Sequence, residues 1–437
     1  MNILITGAGF ENKGAEAMLR TVQAELNKRL PDAEFFLWRS PQRVCRSAFN
    51  SGCYPLQLPY EKCGPFSHWA KGHRVRLLLW CLLEHCWDRD VKNTLASFAS
   101  GQFVSRAFGL FLNRRKASAN VLIDISGFAY GDSWGTFAFR DIVPLIEYCA
   151  RKEKSVIFLP QAWGSFDKPE VRGALRQLLS YERAYVYSRD KCSCHYLEQA
   201  LEQPQGSIPV TPDIVFGFQG GTPEQGERIL RNMGCSLSRP IIGLAPNMQV
   251  YKRVAGSGMG NKYLQVLVHL VDYCHKHCDV DVVLQSNNIS LSQDRVDDRY
   301  LCSLIALSIA NSERCFMTQE PLTAEATKAL VGRFDYLIAS RFHSLVFAFS
   351  QGIPGMAVSW SHKYRELFSL FGMEDQVQEC QHIDSDALIE TFEKGWAERE
   401  QQRESILKKA KQLRSEVNML FDEVAEKILR NSELKNG

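Results

Sequence analysis

Asp335–Leu367, DYLIASRFHSLVFAFSQGIPGMAVSWSHKYREL, limits the possible folds more than any other stretch of the chain. Tyr336–Ala339 is an apolar run of strand length, Arg341 breaks it, and Phe342–Phe349 continues at helical length until Gln351, Gly352 and Pro354 stop it. Met356–Val358 then reads as a second strand. Two parallel strands joined by a helix have a crossover of fixed hand, so the loops leaving both strands open on one edge of the sheet. Open α/β sheets bind ligands at that edge. Arg341 and His343 leave the first strand, His362 and Lys363 leave the second, and parallel neighbours lie roughly 5 Å apart. The four side chains are therefore expected to face one pocket. Free N–H groups at the helix start, near Phe342, add to its positive field, and an anion is the ligand it suits.

The same rhythm runs through the rest of the chain. Asn2–Thr6 reads as a strand, and GAGFENKGAEAMLR as a glycine-rich turn feeding a helix. Asn12 stands where the dinucleotide fingerprint needs its third glycine, so a nicotinamide or flavin is not expected. VLIDISG, SVIFLPQAWG and AYVYSRDKCS each end a strand in a polar loop, which brings Ser126, Gln161, Trp163 and Arg189 toward one edge. FAYGDSWG adds Tyr130, Asp132 and Trp134, flat rings and a carboxylate of the kind that sugar sites use, although an ordinary loop can have the same composition. QGGTPEQGE marks a hinge, after which Ile241–Ala245, followed by Asn247, and Val280–Leu284 start a second set of strands. Strands alternating with helices imply parallel sheets. The expected architecture is α/β, with Rossmann-like domains at residues 1–220 and 221–395 facing a central cleft, then a helical extension at 396–437. In that extension Ile406, Leu413 and Leu420, with Ala410, Val417, Val424 and Ile428, share one face. The repeat is too short for a long coiled coil, so the helix is expected to pack back across the domains, with dimerisation as the alternative.

Composition narrows the function. Apolar residues at 45% and charged residues at 23% are ordinary for a globular chain, and a net charge of +3 gives no reason to expect nucleic acid. The 14 cysteines lack framework spacing and read as free thiols, while Cys192 and Cys194 are too close for a C-x-x-C redox pair. Cys274, His275, His277 and Cys278 suggest zinc, but they follow Val266, Leu267, Leu270 and Val271 on a helical pattern and no second ligand pair sits at finger-like distance, so no metal is expected. MNILITGAGF lacks a basic n-region and no apolar run reaches membrane-spanning length, so the expected location is cytoplasmic. An insertion at 41–116 lacks regular alternation, and its part from 71 to 116 holds nine Lys or Arg against three acids. HRVRLLLWCLLEHCW and FVSRAFGLFLNRRK within it read either as helices covering the first sheet or as a peripheral membrane contact.

SRFHS, QGIP and SWSHKY together resemble the C-terminal signature of the polysaccharide pyruvyl transferase family. Ser188-Arg189-Asp190 is similar to its N-domain arginine motif, and Asn12-Lys13-Gly14-Ala15-Glu16 to its N-x-G-[DA]-E element. The resemblance implies a GT-B-like fold and transfer of the enolpyruvyl group of phosphoenolpyruvate onto two saccharide hydroxyls, in exopolysaccharide or cell-surface glycan biosynthesis, without cofactor. It implies Arg189, Arg341 and Lys363 as phosphoenolpyruvate ligands and His343 as the proton donor. Candidate contacts for the acceptor, free or lipid-linked, are Asn12, Glu16, Tyr130, Asp132, Trp134, Gln161, Trp163, Asn247 and His362, the last also a second candidate proton carrier. A GT-B-like glycosyltransferase using a nucleotide sugar is the alternative, and the oligomeric state stays open.

Overall fold

Apolar runs too short for helices and buried on both faces build two wholly parallel sheets. The computed structural model describes residues 1–38, 53–55, 119–290, 296–318 and 320–433, so most of the 41–116 insertion, including the basic helical segment, lies outside the described residues. The first sheet contains β1 (Asn2–Thr6), β2 (Glu34–Leu37), β3 (Cys53–Pro55), β4 (Val121–Asp124), β5 (Ser155–Gln161) and β6 (Ala184–Ser188) in the order β3-β2-β1-β4-β5-β6. The second contains β7 (Ile241–Ala245), β8 (Asp281–Leu284), β9 (Cys315–Met317), β10 (Tyr336–Ala339), β11 (Gly355–Ser359) and β12 (Val377–Glu379) in the order β12-β11-β10-β7-β8-β9. Each sheet is therefore a doubly wound Rossmann-type sheet, with its order reversing between β1 and β4 or between β7 and β10, where ligand crevices form. Arg341 leaves β10 at the second of these points.

Among the described residues the helices of the first domain are α1 (Lys13–Arg29), α2 (Phe137–Arg151), α3 (Pro169–Leu179) and α4 (Lys191–Leu201). Those that follow are α5 (Pro223–Asn232), α6 (Met248–Tyr251), α7 (Lys262–His277), α8 (Asp298–Ala306), α9 (Ala324–Val331), α10 (Phe342–Phe349), α11 (Lys363–Ser369) and α12 (Ser385–Glu433). One apolar cluster fills the outer layer of the first sheet, including Leu122, Phe158, Trp163, Ile142, Leu175 and Leu197. Another fills the outer layer of the second, with Ile338, Met356, Leu267, Val271 and Leu301. A third joins the halves, running from Ile3, Ile5 and Met18 through Ile214 and Phe216 to Leu345, Phe349 and Leu420.

α12 begins at Ser385, ahead of the extension expected from 396, because Leu388 and Phe392 already bury themselves in the second domain. At 49 residues it is roughly 73 Å long. Its face of Ile406, Ala410, Leu413, Val417, Leu420, Val424 and Ile428 is buried within the chain itself. Arg29 binds Asp422 at 2.6 Å and donates to the Asn418 carbonyl, and Tyr187 donates to Glu423 at 2.8 Å, so the helix that starts on the second domain ends on the first. No helix among the described residues is long and apolar enough to cross a membrane.

Candidate active site

β6 ends at Ser188 and puts Arg189 into the cleft; the short α10 starts one residue after Arg341; β11 leads through Trp360 to Lys363 at the start of α11. Phe342 is where they meet. The Arg189 guanidinium stacks over its ring at 4.1 Å, the Lys363 amine lies over it at 5.6 Å, and the His343 ring stands edge-on to it at 5.3 Å. The structure thus brings together the cations that the sequence pointed to from loops of both domains.

Two buried carboxylates that the sequence reading missed answer two of those cations. Arg189 Nη1 donates to Asp213 Oδ2 at 2.7 Å, with both side chains almost wholly buried. Arg341 Nη2 donates to Asp298 Oδ1, which also accepts from the Met248 N–H, while the other oxygen accepts from the Asn288 N–H. The site therefore carries less net positive charge than three free cations would. Capacity remains, because Arg189 Nε and Nη2 and Arg341 Nε make no hydrogen bond among the described residues. Lys363 pairs with no carboxylate among them, and its amine sits over the rings of Phe128, Trp360 and Tyr364 at 4.8, 4.4 and 5.5 Å. Burial pushes its pKa well below the usual lysine range, and Arg189 and Arg341 push the same way.

His343 Nε2 lies 3.6 Å from Asp213 Oδ2, a charge contact longer than a hydrogen bond. Burial lowers the imidazole pKa, Asp213 opposes this, and Arg189 and Lys363 add to the lowering, so the ring is held neutral more readily than in water. Burial would raise the Asp213 carboxyl, but His343, Arg189 and the Val215 N–H outweigh it and hold that group at about 2. His362 lies beside Ser193 Oγ at 3.3 Å and 3.9 Å from Asp190, with its pKa lowered first by burial.

The first turn of α1 closes over this group from the other domain. Asn12 caps the helix by accepting from the Gly14 N–H at 2.9 Å, and its backbone bridges Asn288 beyond β8. The Lys13 N–H donates to the Asn287 carbonyl and the Ile289 N–H to the Glu11 carbonyl, both at 2.9 Å. Gly14 lies directly on His343, where a Cβ would fall 2.0 Å from Nδ1.

The candidate acceptor residues divide sharply. Trp134 is 37% exposed and stands edge-on to Phe128 and to Trp360, at 6.2 and 6.3 Å. Tyr130, Gln161, Trp163 and Asn247 are instead structural. Tyr130 stacks on Trp163 and donates to Asp124, as does Gln161; Trp163 donates to the Tyr187 carbonyl, and Asn247 to the Ser340 carbonyl at 2.6 Å. Gln161 ends β5, while Tyr130, Trp163 and Asn247 lie in the loops beyond their strands and are buried there. Asp132 accepts from Asp167 N–H at 2.7 Å and from Ser165, which fixes its loop. Glu16 is buried against Lys13 at 3.0 Å. The Cys274–Cys278 stretch offers no shared ligand geometry: Cys274 is core, His275 contacts the Arg314 carbonyl, and His277 stacks on Tyr273.

Residues 12–362 match the model of the polysaccharide pyruvyl transferase family. The chain belongs to that family. Solved structures of similar fold include a UDP-GlcNAc 2-epimerase from Neisseria meningitidis, 12% identical over 98% of this chain and 100% of that one, TM-score 0.52. A glycosyltransferase from Rickettsia africae is 11% identical over 98% and 99%, TM-score 0.55. HepE of Anabaena in complex with UDP-glucose is 12% identical over 97% and 99%, TM-score 0.53. At such identities the likeness concerns the fold, which is GT-B-like. No curated protein matches the sequence.

Proposed function

We propose that this member of the polysaccharide pyruvyl transferase family moves the enolpyruvyl group of phosphoenolpyruvate onto two hydroxyls of a saccharide and forms a pyruvate ketal. The observation that carries this reading is a group of donors: Arg189 Nε and Nη2 and Arg341 Nε, which make no hydrogen bond among the described residues, and the Lys363 amine, which pairs with no carboxylate among them, with Arg189, Lys363 and His343 gathered on Phe342. A small, multiply charged anion needs such donors on burial, and arginine forks suit carboxylate and phosphate oxygens. In this scheme Arg189 and Arg341 keep one edge on their aspartates and offer the other to the ligand. Lys363, disfavoured as a cation in the empty site, gains its proton's counter-charge when the anion arrives.

His343 then delivers a proton to the methylene carbon, the resulting cationic carbon is attacked by a saccharide hydroxyl, and the carbon–oxygen bond to phosphate breaks. The second hydroxyl closes the ketal. Each hydroxyl gives up its proton, so one returns to His343 and the other leaves with phosphate. Asp213 favours the charged imidazole, while burial and the neighbouring cations favour the neutral one.

Phosphate release from phosphoenolpyruvate with a panel of saccharides tests the reaction, and thermal shift with phosphoenolpyruvate against nucleotide sugars tests the glycosyltransferase alternative. His343→Ala should lower turnover roughly a hundredfold or more. In the parent, kcat/KM should fall as pH rises through a value below the ordinary imidazole range, because the acid must be charged and its pKa is depressed. Stabilisation by nucleotide sugars alone, or full turnover in a folded His343→Ala variant, would refute the assignment.

A further inference from the structure

Cations and rings alternate in an unbroken series from the interior to the surface. Arg189 stacks on Phe342; Lys363 lies over both Phe342 and Trp360; and the Arg253 guanidinium lies over Trp360 at 4.4 Å. The inner end is buried, whereas Arg253 is exposed. Arg253 Nη1 donates to the Gln249 carbonyl at 2.8 Å and to its side chain at 3.0 Å, which fixes the guanidinium, but no carboxylate among the described residues pairs with it. A guanidinium held by neutral acceptors keeps its charge available to an anion from solvent.

Beside Arg253 the rings form a corner. Trp134 and Trp360 are perpendicular, with 89° between their planes and 6.3 Å between centroids, and Phe128 closes the third side at 6.2 and 5.8 Å from them. The loop that carries Trp134 is fixed in place. Asp132 accepts from Asp167 and Ser165, Lys168 Nζ donates to the Asp132 carbonyl at 3.2 Å, and Gly131 lies so close to Gly164 that an added Cβ would fall 2.6 Å from its Cα. A large aromatic face held rigid and left exposed gains contact area without an ordering cost when a flat partner covers it.

We propose that this corner is the acceptor subsite, that the apolar face of the receiving sugar packs on Trp134, and that Arg253, held on Trp360, binds an anionic group attached to that sugar. The substrate class is thus a saccharide bearing a phosphate or carboxylate close to the receiving ring, in preference to a neutral glycan. This rests on the reaction proposed above. It adds three groups, Trp360, Phe128 and Arg253, to the one candidate acceptor residue that lies on the open rim.

Tryptophan-fluorescence titration tests it without turnover, using neutral monosaccharides, their 1-phosphates and the matching uronic acids on the parent, Arg253→Gln and Trp134→Ala. The 1-phosphate or the uronic acid should bind about tenfold more tightly than its neutral parent, the fold-change of one charge-assisted hydrogen bond. Arg253→Gln should erase that difference, and Trp134→Ala should weaken neutral and charged ligands alike. Preference for the 1-phosphate points to an acceptor on a phosphate-linked carrier, and preference for the uronic acid to an acidic glycan. Equal binding of neutral and charged forms, an Arg253→Gln variant that keeps the preference, or no binding of any ligand overturns the subsite. Thermal shift by phosphoenolpyruvate, measured on the same variants, should be unchanged. Its absence from the parent would instead remove the reaction, whatever the sugars do.

Discussion

Asp213 sits between two partners that need opposite things from it. Arg189 is buried and needs a permanent counter-charge; in the proposed reaction His343 needs a neighbour that tolerates both of its protonation states. Asp213→Asn keeps the shape but leaves the guanidinium buried without an opposing charge, and removing one partner of a buried pair costs about 3–5 kcal/mol. The variant should melt well below the parent. The sign of the pH dependence follows from the depressed carboxyl. Its folded value of about 2 lies below the ordinary aspartate value of about 3.9. Its stabilisation is therefore full above the ordinary value and is lost as pH falls toward the folded one. Melting temperatures between those limits should show a steep acid limb in the parent and a shallower one in Asp213→Asn. The placement of Arg189, Arg341, His343 and Lys363 could be read from the sequence because each follows a short apolar run that ends at the same side of its sheet. Asp213 and Asp298 could not, since they lie 24 and 43 residues from the arginines they serve and only tertiary packing makes the pairs.

α1 meets α10 through one residue with no side chain. Gly14→Ala would place a methyl group within 2.0 Å of His343 Nδ1 and 2.7 Å of its Cβ, so either the helix start withdraws or the imidazole turns. A displacement of about 1 Å at a reacting group can cost roughly a hundredfold in rate. Gly14→Ala should therefore lose turnover at about that scale, with far-UV circular dichroism unchanged; normal turnover would show that the contact opens during catalysis. The α10 boundaries, Phe342–Phe349, match the sequence reading because the break at Arg341 and the stop at Gln351–Gly352 are local signals. The burial of Tyr130, Trp163 and Asn247 was hidden, since a polar loop motif looks the same whether its rings point to solvent or stack beneath a helix.

The two sheets are tied together by backbone bonds at residues 11–13 and 287–289, by the buried turn Ile214–Gly217, and by α12. Leu420 is buried in the cluster that spans both halves, so Leu420→Ala should cost about 2–5 kcal/mol and lower a single cooperative melting transition. Two separate transitions in the parent would contradict this coupling. Lys328 supplies a second check at the same scale. Its amine donates to the Phe218 carbonyl at 2.7 Å, and burial, with Arg414 nearby, pushes it down to about 7. That is below the unfolded value of about 10.4, so the unfolded chain binds more protons between the two and stability should rise with pH across that window. Lys328→Met should flatten that part of the profile.

α12 follows both sheets in the chain, so a ribosome finishes each sheet before the helix that shields the apolar surface between them. Nascent chains must pass through an interval with that surface bare, when they are prone to cling to one another. A message cut short before Ser385 would yield protein that stays in this condition. Chains without the helix should therefore keep that apolar surface bare and associate, whereas chains that carry it should not.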